Sequence, residues 1–218
     1  MAANPNSTSM IGRHGRLELG EVLAALIADG LLAAEDAKRI RGASRAGRGT
    51  AELHPLVLIA SAKPENRTDP GKPLTVESLT VWLAEKAGLA YLKIDPMKID
   101  VAAVTQAVSQ AYAQRHRILP VAVNHGTVTF ASAEPFDTHW AADLSQMLRR
   151  EVKRVVANPL DIHRYLMEFY GVQRSIAKAR EAKQDSMDGS AILNFEQLLE
   201  LGKSGEIGAD DRHVVHIV

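Results

Sequence analysis

The chain has 218 residues, of which 46% are hydrophobic and 5% aromatic, and its 26 basic residues are balanced by 26 acidic ones. This balance argues against a nucleic-acid-binding surface, which normally requires an excess of basic residues. The chain has no cysteine, which excludes disulfides, thiolate zinc sites, iron–sulfur clusters and cysteine nucleophiles. No stretch approaches about 18 apolar residues, and the polar N-terminus lacks an apolar signal segment, so neither a membrane span nor a signal peptide is predicted.

The first part of the chain predicts helices separated by loops. Residues 1–17 are expected to be a disordered lead-in. From Glu18 the apolar residues recur with a helical period, and Gly30 lies where a helix-ending glycine belongs. The following elements are predicted: a short helix over 31–40, a flexible loop over 41–50, a short helix over 52–62, a loop over 63–73, and a helix over 74–88 capped by Thr75 and ended by Gly88. Residues 18–88 are therefore predicted to be a small helical subdomain with a weak internal duplication.

The second part predicts strands mixed with helices. The following elements are predicted: a strand over 89–95, a helix over 100–113, strands over 118–124 and 127–132 joined at His125–Gly126, a helix over 136–150 that buries Trp140, Leu144, Met147 and Leu148, and a strand over 151–157. Asn158 and Pro159 begin a last helix, which is expected to stop at Gly171. The order β-α-β-β-α-β-α predicts a compact α+β sandwich over 89–171.

The last part of the sequence is polar and predicts a linker over 172–212. Within it, residues 173–188 are either extended linker or a solvated helix. The stretch 192–202 could pack through Phe195, Leu198 and Leu199. Residues 213–218 are apolar and are expected to begin a truncated following domain.

No motif or cluster in this sequence predicts catalysis. It contains no G-x-x-x-x-G-K-[ST], no G-x-G-x-x-G and no G-x-S-x-G. His213 and His216 lack the third ligand of a zinc site. The Arg115–Arg117 stretch could bind an anion, but its place at a helix end favours a structural role. Ser132 and Glu134 are expected to form a turn, so we predict no catalytic, cofactor-binding or metal-binding residue.

Two motifs carry a resemblance to a known family. The first motif is an "R-H-hydrophobic-hydrophobic-P" strand, which is matched by Arg115, His116, Ile118, Leu119 and Pro120. The second motif is a "hydrophobic-A-x-A-x-P" strand followed by Asp, which is matched by Phe130, Ala131, Ala133, Pro135 and Asp137. With these motifs, residues 20–171 resemble the N-terminal domain of type II secretion and type IV pilus assembly ATPases.

This resemblance implies a non-catalytic docking and regulatory region within a hexameric ATPase. Its partners would be the ATPase domain of the same chain and the cytoplasmic domain of an inner-membrane platform protein. It also implies a location in the cytoplasm, peripheral to the inner membrane. ATP and Mg would belong to the missing motor domain, so no cofactor is expected in this chain.

Some members of this family bind cyclic di-GMP through the duplicated helical motif, which opens with R-L-G and closes with Gln. Here the first opening falls on Glu21–Leu23, the closing positions fall on Ser44 and Lys86, and His54–Leu56 is the best candidate for the second opening. A carboxylate where a phosphate-binding arginine belongs should repel the ligand. We therefore expect weak or no binding. A divergent cyclic di-GMP sensor is the alternative function, and a freestanding enzyme is a third.

Overall fold

The computed structural model describes residues 11–12, 15–46 and 53–185. Within these ranges the chain has the predicted α+β fold. The described residues up to Gln173 belong to one compact unit, and those from Arg174 onward belong to a second. In the ranges described, no helix combines the length and the apolar character needed to cross a membrane. The predicted packing of 192–202, the start of a further domain at 213–218 and the pair His213 and His216 lie outside the described residues.

Four helices come first along the chain. They are α1 (Leu19–Ala28), α2 (Ala34–Ala46), α3 (Pro55–Ser61) and α4 (Val76–Ala87). Their inward faces are mainly aliphatic and form a cluster that we call the helical core. The members from this part of the chain that are fully buried are Val22, Leu23, Leu26, Leu32, Leu56, Ile59 and Leu83. Ile11 and Leu17 are also buried in this core, so the expectation of a disordered lead-in is wrong for these residues.

Local signals explain α4. The Thr75 hydroxyl accepts a hydrogen bond from the Ser78 amide at 3.1 Å, and the Ser78 hydroxyl accepts one from the Thr75 amide at 2.9 Å. Leu74 before the cap and Leu79 inside the helix are both buried, as in a hydrophobic staple. Gly88 ends the helix with φ +64°, a conformation that glycine adopts without strain. These features confirm the predicted helix and both of its ends.

Helix α2 is longer than predicted. A flexible loop was expected from residue 41, whereas the helix continues to Ala46. Gly42 costs only about 1 kcal/mol in a helix interior, and Ala37 and Ile40 anchor the preceding turn in the helical core. The expected loop therefore cannot begin before residue 47, and the rest of it lies outside the described residues.

A three-stranded sheet follows, made of β1 (Ile118–Val123), β2 (Thr127–Ser132) and β3 (Glu151–Val156). The strand order is β1-β2-β3, with β1 antiparallel and β3 parallel to β2. The Asn124 amide donates to the Thr127 carbonyl at 2.8 Å, which closes the predicted turn. The pairing of β1 with β2 is irregular between Pro120 and Ala122.

The strand predicted over 89–95 is not formed. This segment makes only one isolated parallel bridge, between Tyr91 and Val156 at the end of β3. The pairing ends after Leu92, and Asp95 then caps a 3₁₀ helix over Pro96–Lys98. The first strand of the predicted sandwich is thus reduced to a bridge.

Four helices cover this sheet. They are α5 (Val101–Ala107), α6 (Gln110–His116), α7 (His139–Leu148) and α8 (Pro159–Asp185). Their apolar side chains and those of the strands form a second cluster, which we call the sheet core. Its most buried large members are Val104, Ile118, Leu119, Val128, Phe130, Trp140 and Leu144. Val156 packs in the helical core instead, so β3 contributes to both cores within one compact unit.

The single helix predicted over 100–113 is divided into α5 and α6. Val108 is extended, with φ −150°, and the Ser109 hydroxyl accepts from the Tyr112 amide at 3.3 Å to begin α6. The buried Tyr170 hydroxyl donates to the Val108 carbonyl at 2.7 Å. A serine cap and a tertiary hydrogen bond therefore stabilise the break against helix continuation.

Two further predictions about helices are wrong. Met147 was expected to be buried, but its side chain is 60% exposed in the last turn of α7. The hydrophobic period shows which face of a helix is apolar, but it does not show how much of that face the neighbouring elements cover. Helix α8 does not stop at Gly171 but continues to Asp185. Added bulk at Gly171 would meet nothing within 4 Å, and the following residues are good helix formers. Between the two alternatives for 173–188, the helix is found as far as Asp185.

Candidate interaction site

A buried polar cluster lies where β2 ends. Glu134 is only 2% exposed, and its carboxylate accepts a hydrogen bond from the Leu17 amide at 2.8 Å. Its own amide donates to the Ser132 hydroxyl at 3.0 Å. These bonds join the turn after β2 to the segment before α1. We call the set His54, Arg117, Ser132 and Glu134 the polar junction.

His54 connects the polar junction to helix α3. Its Nδ1 accepts from the Leu56 amide at 3.3 Å and thereby caps the helix. Since Nδ1 is an acceptor, the ring proton is assigned to Nε2, which lies 3.2 Å from the Ala133 carbonyl. Nε2 is also 3.7 Å from a carboxylate oxygen of Glu134. Both ring nitrogens are therefore satisfied in the neutral form.

Burial sets the charges at the junction. It lowers the pKa of His54 to about 4, against a smaller opposing effect of the hydrogen bond to Ala133. Burial also raises the pKa of the Glu134 carboxyl, an effect opposed by the Leu17 hydrogen bond and by the positive charge of Arg117. Arg117 Nη1 lies 3.7 Å from Glu134. At neutral pH the junction thus holds a neutral imidazole, beside the close pair of Arg117 and Glu134.

For Arg115–Arg117, Ser132 and Glu134, the predictions were correct only for the course of the backbone. Helix α6 ends at His116, and Arg117 follows with φ +52°, as expected for a helix end. The Asp137 amide donates to the Glu134 carbonyl at 3.1 Å, which confirms the turn. The side-chain roles of His54 and Glu134 were missed, because their partners are far apart in sequence.

Beside the junction is a groove of about 610 Å³, located between α3, α6 and the start of α8. Its walls are mostly apolar, and its polar members are His54, Gln114, Arg117 and His163. Three large apolar side chains that line it are about half exposed: Leu53 (48%), Leu160 (50%) and Met167 (47%). We refer to this feature as the α8 groove.

A second cavity, of about 280 Å³, shares Leu53 and Arg117 with the α8 groove. Arg16, Ser44, Arg117 and Glu134 are among the residues that line it. Two arginines and one glutamate therefore border the same small space. The described residues contain no group of three or more histidine, aspartate or glutamate side chains that could hold a metal ion.

Residues 87–176, which include the sheet and the start of α8, match the MshEN domain family. The residues that are similar to this family make up less than half of the chain. Over 206 residues the chain is 32% identical to the type IV pilus assembly ATPase TfpB of Acinetobacter baylyi, a match that covers 94% of this chain and 34% of TfpB. The resemblance to secretion and pilus assembly ATPases is thereby confirmed.

Two solved structures have a similar chain course. One is described as MshE with cdg; it has 20% sequence identity and a TM-score of 0.47, and the match covers 71% of this chain and all of that one. The other is the N-terminal domain of XpsE; it has 18% identity and a TM-score of 0.42, and the match covers 68% of this chain and 92% of that one. The chain spans about a third of the length of the curated relative that it matches.

The positions assigned to the dinucleotide motif, all of which precede the residues similar to the MshEN family, make internal contacts. The Glu21 carboxylate accepts from the Gly12 amide at 2.8 Å. Lys86 lies 2.7 Å from Asp29, with both side chains at most 15% exposed, and the Trp82 indole donates to the same Asp29 at 2.7 Å. Lys86 occupies a closing position of that motif, and its positive charge is compensated by Asp29.

Proposed function

We propose that this chain is a non-catalytic docking and regulatory region of a type II secretion or type IV pilus assembly ATPase. It would couple the motor to the cytoplasmic domain of an inner-membrane platform protein. The parent protein would be a hexamer working at the cytoplasmic side of the inner membrane. ATP and Mg would bind to the motor domain of that parent, outside this chain.

The α8 groove is the observation that supports docking best. Large apolar side chains that stay half exposed around one concave surface are typical of sites that bind another molecule. Leu53 precedes α3 and Met167 belongs to α8, so the surface is built by two separate elements. Leu160, in the first turn of α8, adds a further exposed apolar side chain to the same surface.

The test is binding of the full parent ATPase to the cytoplasmic domain of the platform protein from the same system, measured by calorimetry. Leu160→Asp is expected to weaken binding at least tenfold, because it places a charge where apolar contact forms. Met147→Asp is the matched control, since Met147 is exposed on α7 outside the groove. Equal affinities for the wild type and both variants would refute docking through this groove.

The proposal also requires that this chain has no ATPase activity of its own. The sequence contains no phosphate-binding P-loop, and P-loop ATPases hold the nucleotide phosphates with that loop. The purified chain should release phosphate from ATP at the background rate. Turnover that copurifies with the chain through several chromatography steps would contradict the non-catalytic assignment.

A cyclic di-GMP sensor remains the second candidate, and the second cavity is the observation that favours it. Arg16 and Arg117 face this cavity and could contact phosphate, but the carboxylate of Glu134 faces it too. We therefore expect weak or no binding. Calorimetry with cyclic di-GMP measures this directly, with Arg16→Ala as the comparison. Saturable submicromolar binding that Arg16→Ala abolishes would make the sensor the better assignment.

A further inference from the structure

We infer that the α8 groove receives an amphipathic helix of a partner protein that carries an acidic side chain beside its apolar face. The inference rests on the proposed docking function and specifies the chemistry of the partner. It follows from the apolar residues of the groove, their spacing and the charge of its lining.

Three of the eight exposed large apolar side chains among the described residues lie around this one groove. Leu53, Leu160 and Met167 line it and are 47–50% exposed. A small molecule held inside the groove would leave their outer halves in water. A helix laid across the groove would cover both the interior and these exposed halves, which makes it the better occupant.

The spacing of these side chains suits a helix. Leu160 and Met167 are seven residues apart on α8, so they lie on one face about 10 Å apart at 1.5 Å per residue. A partner helix with apolar residues at i, i+3, i+4 and i+7 has the same length of contact. Leu53, before α3, lines the same groove from a separate element and would add a further apolar contact to that helix.

The charge of the lining selects an acidic partner. The groove residues include one guanidinium, that of Arg117, and two imidazoles, and none of them is a carboxylate. The nearby Glu134 side chain is only 3% exposed, whereas that of Arg117 is 43% exposed. The Arg117 side chain is therefore accessible from solvent, and a guanidinium can donate two parallel hydrogen bonds to a carboxylate of the partner.

The charged residues of α8 next to the groove do not cancel this preference. Asp161 lies 3.0 Å from Arg164 in an ion pair on the helix surface. Glu168 is exposed on α8 but is not among the groove residues. Arg117 is thus the one permanently charged side chain in the lining of this groove.

A display library of helical peptides provides the test. Its members carry leucine, phenylalanine or methionine at i, i+3, i+4 and i+7, and are randomised among aspartate, glutamate, glutamine, lysine and arginine at the flanking positions. Selection on the full chain should enrich aspartate or glutamate at one flank. No enrichment, or enrichment of lysine and arginine, would overturn the inference.

Substitutions then locate the bound peptides. Met167→Glu should weaken an enriched peptide at least tenfold, and the matched variant Met147→Glu should leave its affinity unchanged. Arg117→Glu should reverse the preference, so that a lysine version of the peptide binds better than the glutamate version. Equal effects of Met167→Glu and Met147→Glu, or an unchanged charge preference in Arg117→Glu, would overturn the assignment of the groove.

Vesicles distinguish a membrane from a helix as the occupant. Vesicles of phosphatidylglycerol and phosphatidylethanolamine should not compete with the enriched peptide, and competition that Met167→Glu abolishes would overturn the inference.

The docking to the platform protein can fail independently of this inference. If acidic helices bind the groove but Leu160→Asp leaves platform binding intact, the inference stands and the proposed docking to the platform protein fails.

Discussion

The buried His54 should make folding depend on pH, and substitution with asparagine isolates this effect. His54→Asn keeps an acceptor at the start of α3, where Asn is a good N-cap, and removes the titrating ring. Burial lowers the pKa of His54 from 6.5 to about 4. Since the folded protein binds the proton less readily than the unfolded chain, stability is lost as the pH falls below 6.5 and the loss is complete near pH 4.

The magnitude follows from this pKa difference. Linkage with values of 6.5 and about 4 predicts that the wild type loses about 2 kcal/mol between pH 7 and pH 5 through this one group. Glu134 acts in the opposite direction, because its raised pKa gives stability at low pH that is lost as the pH rises through the folded value. Glu134 is retained in both proteins, so its contribution largely cancels in the comparison.

Urea unfolding at pH 7 and pH 5 measures the effect. At pH 7 His54→Asn should be less stable than the wild type by about 1–2 kcal/mol, because the Ala133 carbonyl loses its donor. At pH 5 the difference should disappear or reverse in sign. If the free energy of unfolding changes equally with pH in both proteins, His54 is not held neutral by burial and the electrostatic account of the junction is refuted.

Three further substitutions test the fold by chemical denaturation at neutral pH. Phe130→Ala removes a fully buried ring that contacts Trp140 edge-on and should cost about 3–5 kcal/mol; a loss below about 1 kcal/mol would place Phe130 outside a packed core. Thr75→Ala removes the cap of α4 and should cost about 1 kcal/mol, whereas Thr75→Ser should be nearly neutral. Tyr170→Phe removes the hydroxyl that bonds the Val108 carbonyl and should cost about 1–3 kcal/mol; an unchanged stability would show that this bond does not hold the break between α5 and α6.

Elements with strong local signals were predictable from the sequence. Helix α4 has its cap at Thr75 and its ending glycine at Gly88, and both lie within the segment that they define. The hairpin of β1 and β2 was likewise readable from two apolar runs around His125–Gly126. In each case the stabilising contacts connect residues close in sequence, so composition and periodicity carry the necessary information.

Elements fixed by distant partners were not predictable. The break at Val108 depends on Tyr170, 62 residues later, and the role of Glu134 depends on Leu17, 117 residues earlier. The continuation of α8 through Gly171 was missed because glycine is a helix stop only where the chain adopts a positive φ. The α8 groove itself combines residues of α3, α6 and α8, and no motif in the sequence links them.

Pro120 has a consequence for self-association of the protein. Among the described residues β1 is an outer strand of the sheet, with one side paired to β2 and the other side pairing with no strand. Exposed strand edges can template aggregation with further copies. Pro120 offers no amide hydrogen, and the irregular pairing next to it bends the strand. The strand is thereby a poor template for pairing with a second copy of the chain.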